Sequence, residues 1–270
     1  AEKEDCRFLY ELRNEEEVRK NSFQTGIFSY EDHVAWFEQK LEEKDTRIYI
    51  LEQDGERIGQ ARVDLEGQNG EISYALCLRA RGHGYSKWML GSIEEELREQ
   101  AVCRKLIAEV KRENIASQKI FETLSYIAVP ADYGYVFEKK IPLFTIIMCT
   151  YNSAQTLATA VESVRNQEFG GWEMQILDNG SKDESVEKLQ EYEKSDDRIK
   201  CIYRKDNIGW GKGISECLKT SAGGYMMFLG ADDYLATEHT LTEVADEVKK
   251  NHPQIIFTGT YYAKYEPVSY

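Results

Sequence analysis

Residues 75–97 read ALCLRARGHGYSKWMLGSIEEEL: an apolar strand, a glycine-rich loop and an amphipathic helix in immediate succession. Arg79, Gly82 and Gly84 follow an Arg-x-x-Gly-x-Gly spacing, and the helix is expected over Tyr85–Gln100. Glycine lets the chain turn left-handed and bring its backbone close to a diphosphate. The first-turn N–H groups of the helix then add donors and the positive end of its dipole. A plain strand-to-helix turn satisfies the same spacing, so the neighbouring elements decide.

Upstream, Ile48–Glu52 and Arg57–Leu65 flank Asp54-Gly55, the signal of a hairpin with a primed turn. Gly67–Gly70 makes a second turn before the central strand. Arg7–Leu12 reads as a short strand. Ser29, with Asp32 three residues on, starts the helix SYEDHVAWFEQKL in the manner of a capping box. Downstream come a strand (Lys105–Lys111), a helix (Ile115–Leu124) and a hairpin ending at Glu138. The one break in composition is KKIPLFT, where Ile141-Pro142 makes a short joint between residues 1–140 and 141–270. Beyond it, the strands LFTIIMCT, MQILD, IKCIYR and YMMFLGADD alternate with helical stretches at 153–168, 183–194 and 211–221. That alternation predicts parallel βαβ units.

The 270 residues are 41% hydrophobic and 30% charged, with a net charge of -14. They suffice for two globular domains. Both halves are acidic, which argues against a nucleic-acid partner. No apolar run approaches the roughly 18 residues of a membrane span, so only peripheral association is compatible with the sequence. Cys6, Cys77, Cys103, Cys149, Cys201 and Cys217 form no CxxC pair, as expected of reduced thiols in a cytoplasmic protein. No signal-peptide pattern opens the chain. Oligomeric state is not legible.

In this setting the glycine loop resembles the GNAT superfamily of N-acetyltransferases. The resemblance implies that the amides of Arg81, Gly82, His83, Gly84, Tyr85 and Ser86 hold the pyrophosphate of acetyl-CoA, and that main chain near Leu76 and Leu78 pairs with its pantetheine arm. KRENIASQKIFETLSYI resembles the superfamily's Asn-x-x-Ser/Ala…Tyr-x-x-x-Gly-Phe pattern, with Asn114, Ser117 and Tyr126 matching. Ser125 stands where Gly is usual. Phe121 stands where many members carry the Tyr that protonates the departing thiolate. Ser117, Tyr126, Tyr133, Tyr135 or water are the open alternatives.

FSYEDHVAWFEQKL, with GERIGQARVD downstream, is similar to acetyltransferases of nucleotide-linked amino sugars in bacterial surface-glycan pathways. That similarity turns Glu31, His33 and Trp36 toward the acceptor. The competing reading makes Trp36 and Phe37 helix core and gives His33 a backbone group to satisfy. The chemistry needs a base for the ammonium proton and amides for the oxyanion. Glu71, His33 and Glu31 are the candidate bases, Glu71 foremost because the start of a strand would aim it at the cleft.

FTIIMCTYNSAQTLATAVESVRNQ resembles the opening of inverting family-2 glycosyltransferases with the GT-A fold, which implies that Thr150, Tyr151 and Asn152 grip a nucleotide base. QILDNGSKDES supplies Asp178 for a uracil-like N–H and Ser181-Lys182-Asp183 to cap a helix. RKDNIGWGKGISECL supplies Lys205, Asn207 and Gly209. In MMFLGADDYL, Asp232 would hold the ribose and Asp233 a Mg²⁺ or Mn²⁺ bridging the diphosphate, although an Asp pair also suits the N-cap of a following helix. An acidic domain needs such a cation on carboxylate oxygen to hold a diphosphate. The family's catalytic Asp or Glu is expected beyond Tyr270, so this half is read as either incomplete or only a binder.

The fold expected is α/β: a GNAT-type mixed sheet with flanking helices, then a Rossmann-like GT-A nucleotide-binding half. The function expected is a bifunctional transferase acting on an amino sugar or on a UDP- or dTDP-sugar. The alternative is a protein or small-amine N-acetyltransferase carrying a non-catalytic nucleotide-sugar module.

Overall fold

The computed structural model describes residues 1–256; the last part of the second half, residues 257–270, lies outside them. The chain opens with three helices, α1 (Cys6–Asn14), α2 (Glu16–Asn21) and α3 (Tyr30–Glu42). The strand expected at Arg7–Leu12 is therefore helical. Cys6, Leu9 and Leu12 are its buried residues, a three-residue spacing that belongs to a helix face. Ser29 caps α3, its hydroxyl accepting from the Asp32 amide at 3.0 Å.

Strands β1 (Thr46–Gln53), β2 (Glu56–Glu66) and β3 (Asn69–Leu76) form an antiparallel meander. Its first turn has φ of 52° at Asp54 and 80° at Gly55, the positive pair of a primed turn. Helix α4 (Tyr85–Gln100) follows the glycine loop. Then come β4 (Lys105–Lys111), α5 (Ile115–Thr123), β5 (Ile127–Ala131) and β6 (Gly134–Lys140). The sheet runs β1-β2-β3-β4-β6-β5. It is mixed, because β3 and β4 alone are parallel. Their pairing covers only Asn69–Glu71 against Lys105–Ile107, and beyond Glu71 the two strands part.

Helices α4 and α5 cover one face through a core that includes Leu90, Leu97, Phe121 and Phe137. Helices α1 and α3 cover the other through Cys6, Leu9 and Phe37, packed on Ile48 and Ile50. A buried Phe contributes roughly 1.5–3 kcal/mol at such a site.

The second unit contains β7 (Phe144–Thr150), α6 (Leu157–Arg165), β8 (Trp172–Asp178), α7 (Ser185–Ser195), β9 (Ile199–Tyr203), α8 (Trp210–Leu218), β10 (Tyr225–Phe228) and α9 (Thr240–Asn251). All three strand pairings are parallel, in the order β10-β7-β8-β9. The chain winds outward from β7 to β9, then returns to the far side of β7. The gap between the carboxyl ends of β7 and β10 is thus the topological switch point, where such sheets bind ligands. The joint is buried: Ile141 belongs to the first core and Leu143 to the second.

Candidate functional site

Two clefts arise from these sheets. In the first unit, a short 3-10 turn at Leu78–Ala80 leads into Gly82 and Gly84, with φ of 81° and 82°. A Cβ on either glycine would meet nothing within 4 Å, so the loop is an open cradle. The Arg81 amide is spent on the Leu78 carbonyl. The first-turn amides of α4, Tyr85 and Ser86 among them, have no intrahelical acceptor. Arg79 reaches Glu56 and the Arg57 carbonyl, both at 3.2 Å. Arg81 Nε donates to the Leu76 carbonyl at 3.0 Å, which occupies main chain expected to face pantetheine. Leu78 is exposed on the 3-10 turn. His83 lies against Tyr85, whose hydroxyl donates to Gln53. Beside the cradle, a groove of about 540 Å³ runs along α4 past Gly84, Lys87, Trp88 and Gly91 to Leu124.

Asn114 caps α5, accepting the Ser117 amide at 3.2 Å. Ser117 Oγ in turn meets the hydroxyl of Tyr74 on β3 at 3.1 Å. The sequence reading missed Tyr74, which looks like an ordinary inward residue of an alternating strand. Tyr126 goes elsewhere. It is buried in the core against Phe121 and Phe137's layer, with Lys139 over its ring and Glu94 beside its hydroxyl. Burial and Glu94 drive its pKa far up, and it does not reach the cleft as a proton donor.

The opposite face carries Glu71, in register with Asp64 on β2. Partial loss of water, then Glu109 and Asp64, raise the Glu71 pKa. Glu109 accepts from the Tyr133 hydroxyl. Trp36 is partly exposed here, with the Arg62 guanidinium 5.5 Å from its ring centre. Glu31 is exposed in the first turn of α3. His33 corrects the expectation of a base. It is buried between α1 and α3 and stacked on Phe37, its Nε2 has no partner, and desolvation lowers its pKa. A four-residue step along α3 puts His33 and Phe37 inward, while Trp36 stays partly exposed.

In the second unit, a cleft of about 590 Å³ sits at the switch point. Cys149, Tyr151, Asn152, Thr156, Asp183, Trp210, Gly230 and Asp232 are among its lining residues. Asp178 is buried at the end of β8. Its Oδ2 accepts from the amides of Gly180 and Ser181, each at 3.1 Å. Its Oδ1 has no partner, nor does the buried Thr150 Oγ1. Asn152, with φ 51°, ties the two loops together: its amide donates to Ser181 Oγ and its Oδ1 accepts from the Lys182 amide. Asp183 accepts from the amides of Ala154 and Ser185, closing the start of α7.

Lys205 lends its carbonyl to the wall behind Gly180, where a Cβ would approach it to 2.9 Å. Asn207 accepts from the Gly209 amide at 2.9 Å, and Gly209, φ 86°, precedes α8. The Asp pair is not a helix cap, because α9 begins only at Thr240. Instead both carboxylates converge over Gly230. Among the described residues no group of three or more His, Cys, Asp or Glu forms a metal cage. Two carboxylates with the remaining positions open to phosphate and water do suit Mg²⁺ or Mn²⁺. Trp210 and Cys149 are further lining residues that the motifs did not single out.

The acetyltransferase (GNAT) domain family matches residues 1–126, and glycosyl transferase family 2 matches residues 145–270. The chain is 37% identical over 92 residues to TuaG of Bacillus subtilis, a glycosyltransferase named for teichuronic acid biosynthesis, covering 34% of this chain and 36% of that protein. It is 29% identical over 118 residues to a PGL/p-HBAD biosynthesis glycosyltransferase of Mycobacterium bovis, covering 44% and 46%. The chain thus spans less than half the length of these relatives. Among solved structures, a ribosomal L7/L12 α-N-protein acetyltransferase with coenzyme A aligns at TM-score 0.47 and 14% identity, over 52% of this chain and 91% of that one. TarS of S. aureus with UDP-GlcNAc aligns at 0.38 and 27%, over 40% and 32%. No helix among the described residues is long and apolar enough to cross a membrane.

Proposed function

We propose, for a chain that joins an acetyltransferase (GNAT) domain to a family 2 glycosyl transferase region, that it serves surface-glycan assembly in the bacterial cytoplasm. The first unit would acetylate the amine of an amino sugar or sugar nucleotide with acetyl-CoA. The second would bind a UDP- or dTDP-sugar through a divalent cation. The names of its relatives support the pathway. The observation that carries the reading is the unpartnered Oδ1 of Asp178, buried at the end of β8 in register with Thr150, the residue just before the Tyr151 and Asn152 that line the switch-point cleft with Asp232. A buried carboxylate oxygen without a donor is costly, and the imide N–H of uracil or thymine would satisfy it. Thr150, Tyr151 and Asn152 frame the base, Lys205, Asn207 and Gly209 the opposite wall. Asp232 takes the ribose, and Asp233 the metal that neutralises the diphosphate.

In the first unit the glycine cradle and the first turn of α4 suit a pyrophosphate, and the parted strands leave room for a pantetheine arm. Glu71 takes the ammonium proton, so that a neutral amine meets the thioester carbonyl. A second reading, acetylation of a polyamine or a protein amine, is favoured by one observation: Glu71, Glu109 and Asp64 crowd the acceptor face with negative charge. The test combines calorimetry of UDP and dTDP with and without Mn²⁺ and acetyl transfer to a UDP-linked amino sugar, a peptide and spermidine. Metal-dependent nucleotide binding with transfer to the sugar is expected. Transfer confined to peptide or spermidine selects the second reading, and metal-independent binding removes the role given to Asp233.

A further inference from the structure

Phe121 leaves the first unit without the helix tyrosine that the family resemblance places at the departing thiolate. Its ring is fully buried, edge-on to Tyr74 with centroids 6.0 Å apart. The other tyrosines named for the role are badly placed. Tyr126 has its hydroxyl in the core beside Glu94. Tyr133 donates to Glu109 on the opposite face. Tyr135 packs against the core around Phe137.

Tyr74 is differently situated. It lies three residues beyond Glu71, the last position at which β3 is paired with β4, and so on the parted length of strand. Its hydroxyl meets Ser117 Oγ, in the first turn of α5, at 3.1 Å. Ser86, in the first turn of α4 at the glycine cradle, lies near enough to act on the Tyr74 phenol. One phenol is thus bonded to the start of α5 and lies near the start of α4, the two helix starts that border the gap.

We propose that Tyr74 and Ser117 form the proton relay to the leaving sulfur, replacing the hydroxyl that Phe121 lacks. The inference rests on the acetyltransferase reading. As the amine nitrogen bonds to the acetyl carbon and the carbon–sulfur bond breaks, Ser117 gives its hydroxyl proton to sulfur and Tyr74 replaces it. Glu71 takes the ammonium proton and passes it to water, the second nitrogen proton leaves to water as the amide forms, and the relay delivers one proton to sulfur with Tyr74 restored from water, so one proton is released overall and no further reactant is needed. Burial raises the Tyr74 pKa above its ordinary value of 10.0, while the serines oppose the shift. The phenol is thus held protonated at neutral pH and able to donate. Tyr74 acts through Ser117 and is a positioning residue.

The test measures CoA-thiol release from acetyl-CoA with a UDP-linked amino sugar, a peptide and spermidine as acceptors, alongside calorimetric affinity for CoA. Tyr74→Phe is expected to lower kcat about 100-fold and to change the alkaline limb of the kcat–pH profile. KM for acetyl-CoA and the CoA affinity should stay within about twofold, a split that a collapsed fold would not show. Tyr74→Phe combined with Phe121→Tyr should recover most of the lost kcat. Wild-type kcat and an unchanged pH profile in Tyr74→Phe would overturn the relay alone, as would a loss of CoA affinity parallel to kcat. Wild-type protein that neither binds CoA nor acetylates any of the three amines would overturn the acetyltransferase reading and the relay with it.

Discussion

A Cβ on Gly230 would stand 2.6 Å from Asp233 Oδ2. The volume that any larger residue at 230 would claim is therefore held by the carboxylate of Asp233, and Asp232 Oδ1 lies only 2.9 Å from the same point. Gly230→Ala must push both carboxylates aside. They are exposed and can move, so the fold should survive within about 1 kcal/mol, the usual range for a surface change. Mn²⁺-dependent UDP affinity should fall about tenfold, near 1.4 kcal/mol, and calorimetry with and without Mn²⁺ reads it directly. Asp233→Ala should abolish the metal dependence while leaving CoA binding intact.

Asp178 uses one oxygen for structure and leaves the other free. Asp178→Asn can present either its amide or its carbonyl to the amides of Gly180 and Ser181, and to a base N–H, but cannot accept at both ends. Because Oδ1 is already without a partner, the expected loss of stability in denaturant unfolding is about 1 kcal/mol, from replacing charged by neutral acceptance of the Gly180 and Ser181 amides. UDP affinity should drop by at least as much, and an unchanged affinity would remove Asp178 from the base site.

His33 gives the first unit a pH signature. Its pKa in the folded chain lies below the ordinary 6.5, so the unfolded chain binds more protons as acidity rises. The stability contribution is present above pH 6.5 and is lost as pH falls through the depressed folded value. Melting temperature should decline over that window in the wild type, and less steeply in His33→Phe, which keeps a ring against Phe37.

Glu71 and Glu109 supply a kinetic counterpart. As base, Glu71 works only when deprotonated, and partial burial, with Glu109 and Asp64 beside it, holds its pKa above the ordinary value of 4.5. The acid limb of acetyl transfer should therefore lie above 4.5. Glu109→Gln removes a like charge and should shift that limb to lower pH. A limb that stays in place would detach it from Glu71.

Gly84 occupies a left-handed position with open space around it. Gly84→Val should raise the CoA dissociation constant about tenfold or more, through backbone strain of roughly 1–2 kcal/mol and loss of the cradle. UDP binding in the second unit should not change, and an equal loss of both would contradict two separate sites.

Much of this protein follows from short-range chemistry. The Asp54-Gly55 turn, the helix from Tyr85 to Gln100 and the strand from Lys105 to Lys111 lie where their sequences put them, because turn dihedrals and helix periodicity depend on residues a few positions apart. The glycine cradle and the strand-end motifs are local for the same reason. Arg7–Leu12 misleads because a short amphipathic stretch suits either a strand or a helix, and its packing on α3 settles it. Packing of helices on the two sheet faces buries His33 and Tyr126 and brings Ser117 to Tyr74, and three-dimensional convergence sets Asp232 and Asp233 over Gly230. By itself the sequence determined two α/β units, the glycine loop and the strand-end motifs; only the tertiary structure decided which side chains face each cleft, since that depends on contacts between residues far apart in the chain.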